Sequence, residues 1–136
     1  MERRHFVRAT LAGAASAAVG VATSPAAHAA SAPDLTNIVF TERDPGHFAK
    51  LEKLHLPMVE VADGKLTVRT PHPMTQAHYI VSHTVVLEGG RFLSRKTFDW
   101  HQQPVSEHML PAGYKGKVAV TSTCNLHDWW LKEVDV

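Results

Sequence analysis

The stretch Lys117–Trp130, KVAVTSTCNLHDWW, joins a β-strand pattern to the only cysteine of the chain. Valines at alternate positions of Lys117–Thr123 predict a strand with one apolar face. Cys124 follows where this strand ends, and His127 lies three residues later in the predicted loop. Thiolate sulfur and neutral imidazole are ligands that suit iron, copper and zinc. The stretch therefore predicts half of a metal site at one end of a β-strand.

A second cluster of candidate ligands lies about 50 residues earlier. The segment His72-Pro73-Met74-Thr75-Gln76-Ala77-His78 carries two histidines, and Pro73 keeps the backbone extended after the first of them. His55, just before Leu56-Pro57 at the end of a predicted helix, is a further candidate. A single histidine is more often a surface or core residue than a ligand, but four in turns beside proline or cysteine favour one shared site.

Composition narrows the classes of function. Fourteen basic residues nearly balance thirteen acidic ones, which indicates neither a nucleic-acid surface nor a membrane patch. A single cysteine excludes an intramolecular disulfide. The histidines outside the two clusters are interpreted as structural or surface residues (His83, His101, His108) or as exposed on the predicted helix (His47).

The rest of the chain predicts an all-β fold, an antiparallel sandwich with one short N-terminal helix. Asp44-Pro45 is typical of a helix start, with Asp44 as N-cap and Pro45 at the first helical position, and the helix must end before Pro57. Asp63-Gly64 is typical of a hairpin turn. About seven strands separated by regular turns favour a sandwich. After the short apolar run Ile38-Val39-Phe40, the predicted strands are Met58–Val61, Leu66–Arg69, Tyr79–Glu88, Arg91–Phe98, Glu107–Leu110, Lys117–Thr123 and Leu131–Val136.

Residues 1–30 predict an export signal of the twin-arginine type. Arg3-Arg4 precedes an apolar run from Leu11 to Val21, and Ala27-His28-Ala29 is a small-x-small cleavage pattern. An ordinary secretory signal that begins with two arginines is the alternative, and the apolar run is shorter than the roughly 20 residues of a membrane-spanning helix. The leader predicts a periplasmic or otherwise exported protein whose residues 31–136 form one domain. Export in the folded state suits a protein that receives its cofactor before it leaves the cytoplasm.

These residues resemble the superoxide reductases, the family of neelaredoxin and of the iron-binding domain of desulfoferrodoxin. The resemblance covers roughly residues 48–130, and the order, spacing and neighbours of the motifs all agree. The matching segments are Glu52–Pro57 with Met58-Val59-Glu60, which is similar to the family's Glu-Lys-His-x-Pro opening, then His72-Pro73-Met74-Thr75, His78-Tyr79-Ile80, and Cys124-Asn125-Leu126-His127 followed by tryptophan.

The resemblance implies an immunoglobulin-like β-sandwich that holds one mononuclear non-haem iron. Four histidines would be equatorial ligands and a cysteine thiolate the axial ligand, which leaves the sixth position open. Fe(II) would give superoxide one electron, hydrogen peroxide would leave, and an external electron donor protein would re-reduce Fe(III). Carried over by position, the equatorial ligands are His55, His72, His78 and His127, and the axial ligand is Cys124.

Two departures from the family pattern bear on function. The family places glutamate and lysine directly before the first histidine ligand, whereas here Leu54 separates Glu52-Lys53 from His55. A bulged loop would restore both roles, so Lys53 is predicted to steer superoxide towards the iron and Glu52 to serve as a sixth ligand. Asp128 stands where a glycine usually follows the last histidine ligand, which predicts a change in the loop.

Two other interpretations follow from the same residues. A cupredoxin-like copper electron-transfer protein also needs a sandwich, a histidine, and a cysteine and histidine close together, but no methionine follows His127 to act as axial ligand. A β-sandwich interaction module with accidental histidines is the third interpretation. The sequence identifies neither the electron donor nor the oligomeric state, and a homo-oligomer is compatible with it.

Overall fold

The computed structural model describes residues 31–136 and contains eight β-strands in this range. The predicted leader, residues 1–30, lies outside the described residues. In chain order the strands are β1 (Val39–Thr41), β2 (Met58–Ala62), β3 (Lys65–Arg69), β4 (Ile80–Leu87), β5 (Arg91–Thr97), β6 (Val105–Met109), β7 (Lys117–Cys124) and β8 (Asp128–Asp135). They form a five-stranded sheet in the order β1-β8-β7-β4-β5 and a three-stranded sheet in the order β2-β3-β6.

The two sheets enclose an apolar core, which confirms the predicted sandwich. Val118 and Val120 point inward from β7, where both are fully buried. They pack in one cluster with Val85 of β4 and with Leu66 and Val68 of β3, which belongs to the other sheet. Because successive side chains of a strand point to opposite faces, the valine spacing of β7 supplies this core directly.

The turn between β2 and β3 has the conformation that its sequence predicts. Asp63 and Gly64 adopt positive φ angles of 51° and 71°, and the flanking residues Ala62 and Lys65 are paired. Two consecutive residues with positive φ form the hairpin turn whose twist matches that of the flanking strands, and Asp-Gly is a preferred sequence for it. The Asp63-Gly64 prediction is therefore confirmed.

The predicted start of the helix is wrong. Pro45 precedes a 3₁₀ helix, Gly46–Leu51, and a short α-helix, α1 (Glu52–His55), follows it. Asp44 does not cap either helix with its side chain: its carboxylate accepts a hydrogen bond from the Thr36 hydroxyl at 2.9 Å. This longer-range contact replaces the local cap. No helix in residues 31–136 is long and apolar enough to cross a membrane.

Long-range pairing also extends the predicted strands. Val39–Thr41, which the sequence showed only as part of a short apolar run, forms an eighth strand that pairs in parallel with β8. In this pairing Val39 lies opposite Trp129, so the residues before Leu131 also belong to the strand. β8 therefore begins at Asp128 and not at the predicted Leu131. β6 likewise begins at Val105 and not at Glu107, because it pairs with β3 along its whole length. All pairs other than β1 with β8 are antiparallel in residues 31–136.

Candidate metal centre

Three chain connections at one end of the sandwich bring the five predicted ligands together. His55 is the last residue of α1, just before β2 begins. His72 and His78 lie in the connection between β3 and β4. Cys124 is the last residue of β7, and His127 lies in the turn before β8. The antiparallel order puts the end of β7 beside the start of β4, where Cys124 pairs with Ile80.

Four imidazole nitrogens make a series of close contacts. His72 Nε2 lies 3.0 Å from His78 Nε2, which lies 3.1 Å from His127 Nδ1. His127 Nδ1 lies 3.0 Å from His55 Nε2, and the rings of His55 and His72 are 4.6 Å apart between centroids. Two of these nitrogens make two contacts each, whereas a neutral imidazole nitrogen offers one proton or one lone pair. Hydrogen bonding alone therefore does not account for the arrangement.

A bound metal ion would account for the spacing of the four imidazole nitrogens. Two ligands at right angles around an ion, each about 2.1 Å from it, are about 3.0 Å apart, and imidazole binds zinc at roughly 2.0–2.1 Å. The observed contacts of 3.0, 3.1 and 3.0 Å fit that spacing. His55, His72, His78 and Cys124 also offer ligand atoms that all lie within 4.8 Å of one another. Four imidazoles with a thiolate exceed the four ligands that zinc prefers and suit a redox metal.

The sulfur of Cys124 is buried beside the histidines. Its Sγ is 3.6 Å from His127 Nδ1, and the side chain is 3% exposed. Burial raises the pKa of the Cys124 thiol, while hydrogen bonds from the backbone N–H groups of Leu126 and His127 lower it. These amides stabilise the thiolate, which is the form that binds a metal, and they limit the electron density that it donates.

Burial keeps the histidines in the form that binds a metal. Burial, together with the neighbouring histidines, lowers the pKa of His72 to about 4. Burial also lowers the pKa values of His55 and His127. At neutral pH these three imidazoles are therefore uncharged and carry a lone pair for coordination.

The orientation of His55 is set by its own helix and by Trp130. His55 Nδ1 donates a hydrogen bond to the Leu51 carbonyl at 2.9 Å, so the lone pair is on Nε2, which faces the other ligands. The imidazole packs on the fully buried indole of Trp130, with 5.5 Å between ring centroids. The indole N–H of Trp130 donates to the His127 carbonyl at 2.9 Å. One tryptophan thus supports two candidate ligands.

Asn125 joins the two ligand-bearing loops, a role that the sequence analysis missed. Its side-chain oxygen accepts the Tyr79 backbone N–H at 2.9 Å, and its side-chain nitrogen donates to the Ala77 carbonyl at 3.0 Å. Its backbone N–H also donates to the Tyr79 carbonyl at 3.2 Å. These bonds hold the residues on both sides of His78 against the Cys124 loop. The family-like Cys-Asn-Leu-His segment was the available signal, but only its two ligands were interpreted.

The structure places Lys53 and Glu52 in α1 and not in the predicted bulged loop. Lys53 is exposed and lies two residues before His55, so the two side chains leave the helix in different directions. Glu52 is half-buried and lies three residues before His55, on a neighbouring part of the helix surface. The group of ligand atoms that all lie within 4.8 Å of one another includes neither Glu52 nor His127, but His127 contacts two of the other histidines at 3.1 and 3.0 Å. The roles of both residues remain predictions.

Asp128 adopts the conformation that explains a glycine at its position. Its φ of 58° lies in the left-handed region, which glycine enters without strain and aspartate enters more readily than most residues. Asp128 still pairs with Cys124 at the start of β8. The substitution therefore leaves the turn between the Cys124 strand and β8 in place.

Comparison with known proteins places these observations in a family. Residues 47–133 match the family model described as Desulfoferrodoxin. A superoxide reductase from Pyrococcus horikoshii is 34% identical over 90 residues, which cover 60% of this chain and 76% of that protein. A superoxide reductase from Pyrococcus abyssi is 33% identical over 90 residues, with the same coverage.

Solved structures agree with the fold. A superoxide reductase (neelaredoxin) from Ignicoccus hospitalis has a TM-score of 0.64 at 22% identity and covers 76% of this chain and 98% of its own. A reduced-form variant of superoxide reductase (neelaredoxin) from Archaeoglobus fulgidus has a TM-score of 0.57 at 25% identity, with 65% of this chain and 92% of its own covered. The predicted sandwich is thus the fold of these two structures.

Proposed function

This chain belongs to the desulfoferrodoxin family, and we infer that it is a superoxide reductase, which reduces superoxide to hydrogen peroxide at a mononuclear non-haem iron. The observation that carries this inference is the set of four imidazole nitrogens spaced about 3 Å apart beside one buried cysteine sulfur. The test is whether the reduced protein forms hydrogen peroxide from superoxide without releasing oxygen.

We propose that the iron is held by the five residues that the sequence predicted. His55, His72, His78 and His127 would each hold the iron through an imidazole nitrogen, and Cys124 would hold it through its sulfur. Iron held there would supply the single electron that, together with two protons from solvent, converts superoxide into hydrogen peroxide. The Cys124 thiolate would donate electron density to that iron, and the backbone N–H groups of Leu126 and His127 would adjust the donation.

The copper alternative is not supported. A blue-copper site uses two histidines, a cysteine and a weak axial ligand such as methionine, whereas four imidazoles converge here. Met109, the last methionine in the sequence, is 67% exposed on β6. Both the ligand set and the family favour iron over copper as the bound metal.

We also propose that an external electron donor protein re-reduces the iron. In residues 31–136, one group of three or more metal-ligating side chains occurs, so this part of the chain stores one electron. Full reduction of the oxidised protein should then require one equivalent of a one-electron donor per chain. A requirement for two equivalents would contradict this proposal.

Lys53 is proposed to steer superoxide towards the open position. Its Cα lies roughly 5.5 Å from that of His55 by helix geometry. The proposal requires the flexible side chain to bring the ammonium within about a Debye length of the centre, about 8–10 Å at ordinary salt. Lys53→Ala should slow the second-order reaction and flatten its dependence on ionic strength, with the absorption spectrum of the resting iron unchanged. Stopped-flow measurement at several salt concentrations checks both effects.

The matched control for that experiment is Lys115→Ala. Lys115 is also exposed, but it lies beyond the opposite end of β7 from Cys124, roughly 25 Å away along the strand. This variant should retain both the rate and the salt dependence. If Lys53→Ala behaves like Lys115→Ala, Lys53 does not steer the substrate.

We propose that residues 1–30 export the folded protein by the twin-arginine route. Arg3-Arg4, the weakly apolar run from Leu11 to Val21 and the Ala27-His28-Ala29 cleavage pattern support this assignment. The mature protein should begin near Ala30 or Ser31, which N-terminal sequencing of the exported form checks. Replacing both Arg3 and Arg4 with lysine should retain the precursor in the cytoplasm, and unimpaired export of that variant would exclude the route.

A further inference from the structure

Six polar side chains form one continuous chain of hydrogen bonds across the interior of the sandwich. We call this set the buried polar chain, since all members but the half-buried Ser94 are at least nine-tenths buried. It crosses between the two sheets repeatedly, because its members come from β4, β5, β6, β7 and the end of β3. The contacts are Ser94 Oγ to His108 Nδ1 (2.6 Å), His108 Nε2 to Ser106 Oγ (2.8 Å), Ser106 Oγ to His83 Nδ1 (2.8 Å), His83 Nε2 to Thr70 Oγ1 (2.9 Å), and Thr70 Oγ1 to Ser122 Oγ (2.8 Å).

The protons of the buried polar chain all point the same way. The Thr70 hydroxyl donates to Ser122, so Thr70 Oγ1 accepts the proton of His83 Nε2. A neutral His83 then carries its lone pair on Nδ1, which accepts the proton of the Ser106 hydroxyl. Ser106 Oγ in turn accepts from His108 Nε2. Burial lowers the pKa of His83 to about 4 and lowers that of His108, so both are neutral at pH 7.

The inner end of the buried polar chain lies between segments that carry two of the proposed ligands. Thr70 precedes His72 by two residues, and its carbonyl accepts the His72 backbone N–H at 2.8 Å. Ser122 precedes Cys124 by two residues, and both side chains point inward from β7 because alternate residues of a strand share a face. The hydrogen bond between Thr70 and Ser122 therefore ties the His72 segment to the Cys124 strand.

We propose that His83 is a positioning residue for the metal centre: by holding the Thr70 hydroxyl against Ser122, it fixes the distance between the His72 imidazole and the Cys124 sulfur. The proposal rests on the function proposed above, since it concerns an equatorial and the axial ligand of the same iron. Residues outside the ligand set orient the ligands and tune a metal in this way. His83 acts through two hydroxyls and touches neither ligand.

Filling space is not a sufficient role for these side chains. A hydrogen-bonded pair in a core can often be replaced by apolar groups of the same shape with little loss of stability. His83 is fully buried and packs edge-on against Phe98, with 4.9 Å between ring centroids. What the imidazole adds is a donor aimed at Thr70 and an acceptor aimed at Ser106. Such a fully satisfied network fixes orientations more sharply than apolar contacts do.

The test compares three variants of the full-length, iron-loaded protein. His83→Leu removes the imidazole, Thr70→Val removes one hydroxyl with almost no change of shape, and Ser94→Ala removes the outermost link of the chain. We would measure the energy of the thiolate-to-iron absorption band of the oxidised protein and the rate at which a chelator extracts the iron. His83→Leu and Thr70→Val should shift the band in the same direction and speed extraction about tenfold, the lower end of the effect of outer-sphere residues. Ser94→Ala should change neither quantity.

The outcomes separate positioning from general stability. If Thr70→Val lowers the melting temperature but leaves the band and the extraction rate at the wild-type values, His83 is a structural residue and the proposal is overturned. Because Thr70→Val conserves shape, it decides the matter even if His83→Leu does not fold. If the wild-type protein itself shows no thiolate-to-iron band, the ligand assignment fails and this proposal falls with it, so the two failures are distinguishable.

Discussion

Replacing Cys124 with serine should abolish the thiolate-to-iron absorption band of the oxidised protein and slow superoxide reduction by more than about 100-fold, because outer-sphere residues alone change metal sites by about 10- to 100-fold and Cys124 is proposed as a direct ligand. A serine hydroxyl stays protonated at neutral pH and has no soft sulfur to donate electron density. The visible spectrum and stopped-flow kinetics measure the two effects.

The control for this experiment is the adjacent residue. Thr123 lies on the opposite face of β7 from Cys124, so Thr123→Ser should retain both the band and the rate. Iron content is measured for both variants, since the four histidines of the Cys124→Ser protein can still hold iron. Survival of the band in Cys124→Ser would mean that another residue is the axial ligand.

Replacing Trp130 with alanine should lower the free energy of unfolding by about 3–5 kcal/mol, the range for a large aromatic removed from a core. The indole is fully buried, packs on Phe40 with 5.2 Å between ring centroids, and also contacts His55. The variant also loses the hydrogen bond to the His127 carbonyl. Denaturant unfolding of the metal-free proteins measures the change without the contribution of bound iron.

The neighbouring tryptophan provides a matched control. Trp129 is 49% exposed on the other face of β8, so Trp129→Ala should change the free energy of unfolding by much less, about 1 kcal/mol or below. The loss of free energy of unfolding for Trp130→Phe should lie between those for Trp129→Ala and Trp130→Ala. Phenylalanine keeps much of the buried volume, but the His127 carbonyl loses its donor, which costs about 1–3 kcal/mol. Equal losses for Trp129→Ala and Trp130→Ala would show that Trp130 does not anchor the site.

The core strand, and the closeness of Cys124 to His127, could be predicted because their signals are local. Val118 and Val120 show a period of two within one short segment, and their burial follows from it. Cys124 and His127 are close in the chain, so a single turn can direct both to one point. The setting of His55, His72 and His78 in turns beside proline also predicted one shared site, and the family resemblance assigned the ligand set, although spacing within the chain does not specify which loops meet.

The parts that sequence reasoning missed depend on contacts between distant residues. The parallel pairing of β1 with β8 joins segments about 90 residues apart, and a three-residue apolar run carries no sign of its partner. Asp44 has the local pattern of a helix cap, but its hydrogen bond to Thr36 is set by the path of the preceding chain. His83 lies between Ser82 and Thr84, and Ser106 lies between Val105 and Glu107, so neither local pattern points to the other residue. Their contact forms only once the two sheets pack face to face.

The central claim is tested most directly by measuring the oxygen and hydrogen peroxide that form when the reduced, iron-loaded protein reacts with superoxide. A reductase should form one hydrogen peroxide and oxidise one iron for each superoxide consumed, and it should release no oxygen. The metal-free protein, measured in the same way, corrects for the spontaneous reaction of superoxide. Release of one oxygen for every two superoxide molecules above that background, with the iron still reduced at the end, would show dismutation and contradict the account.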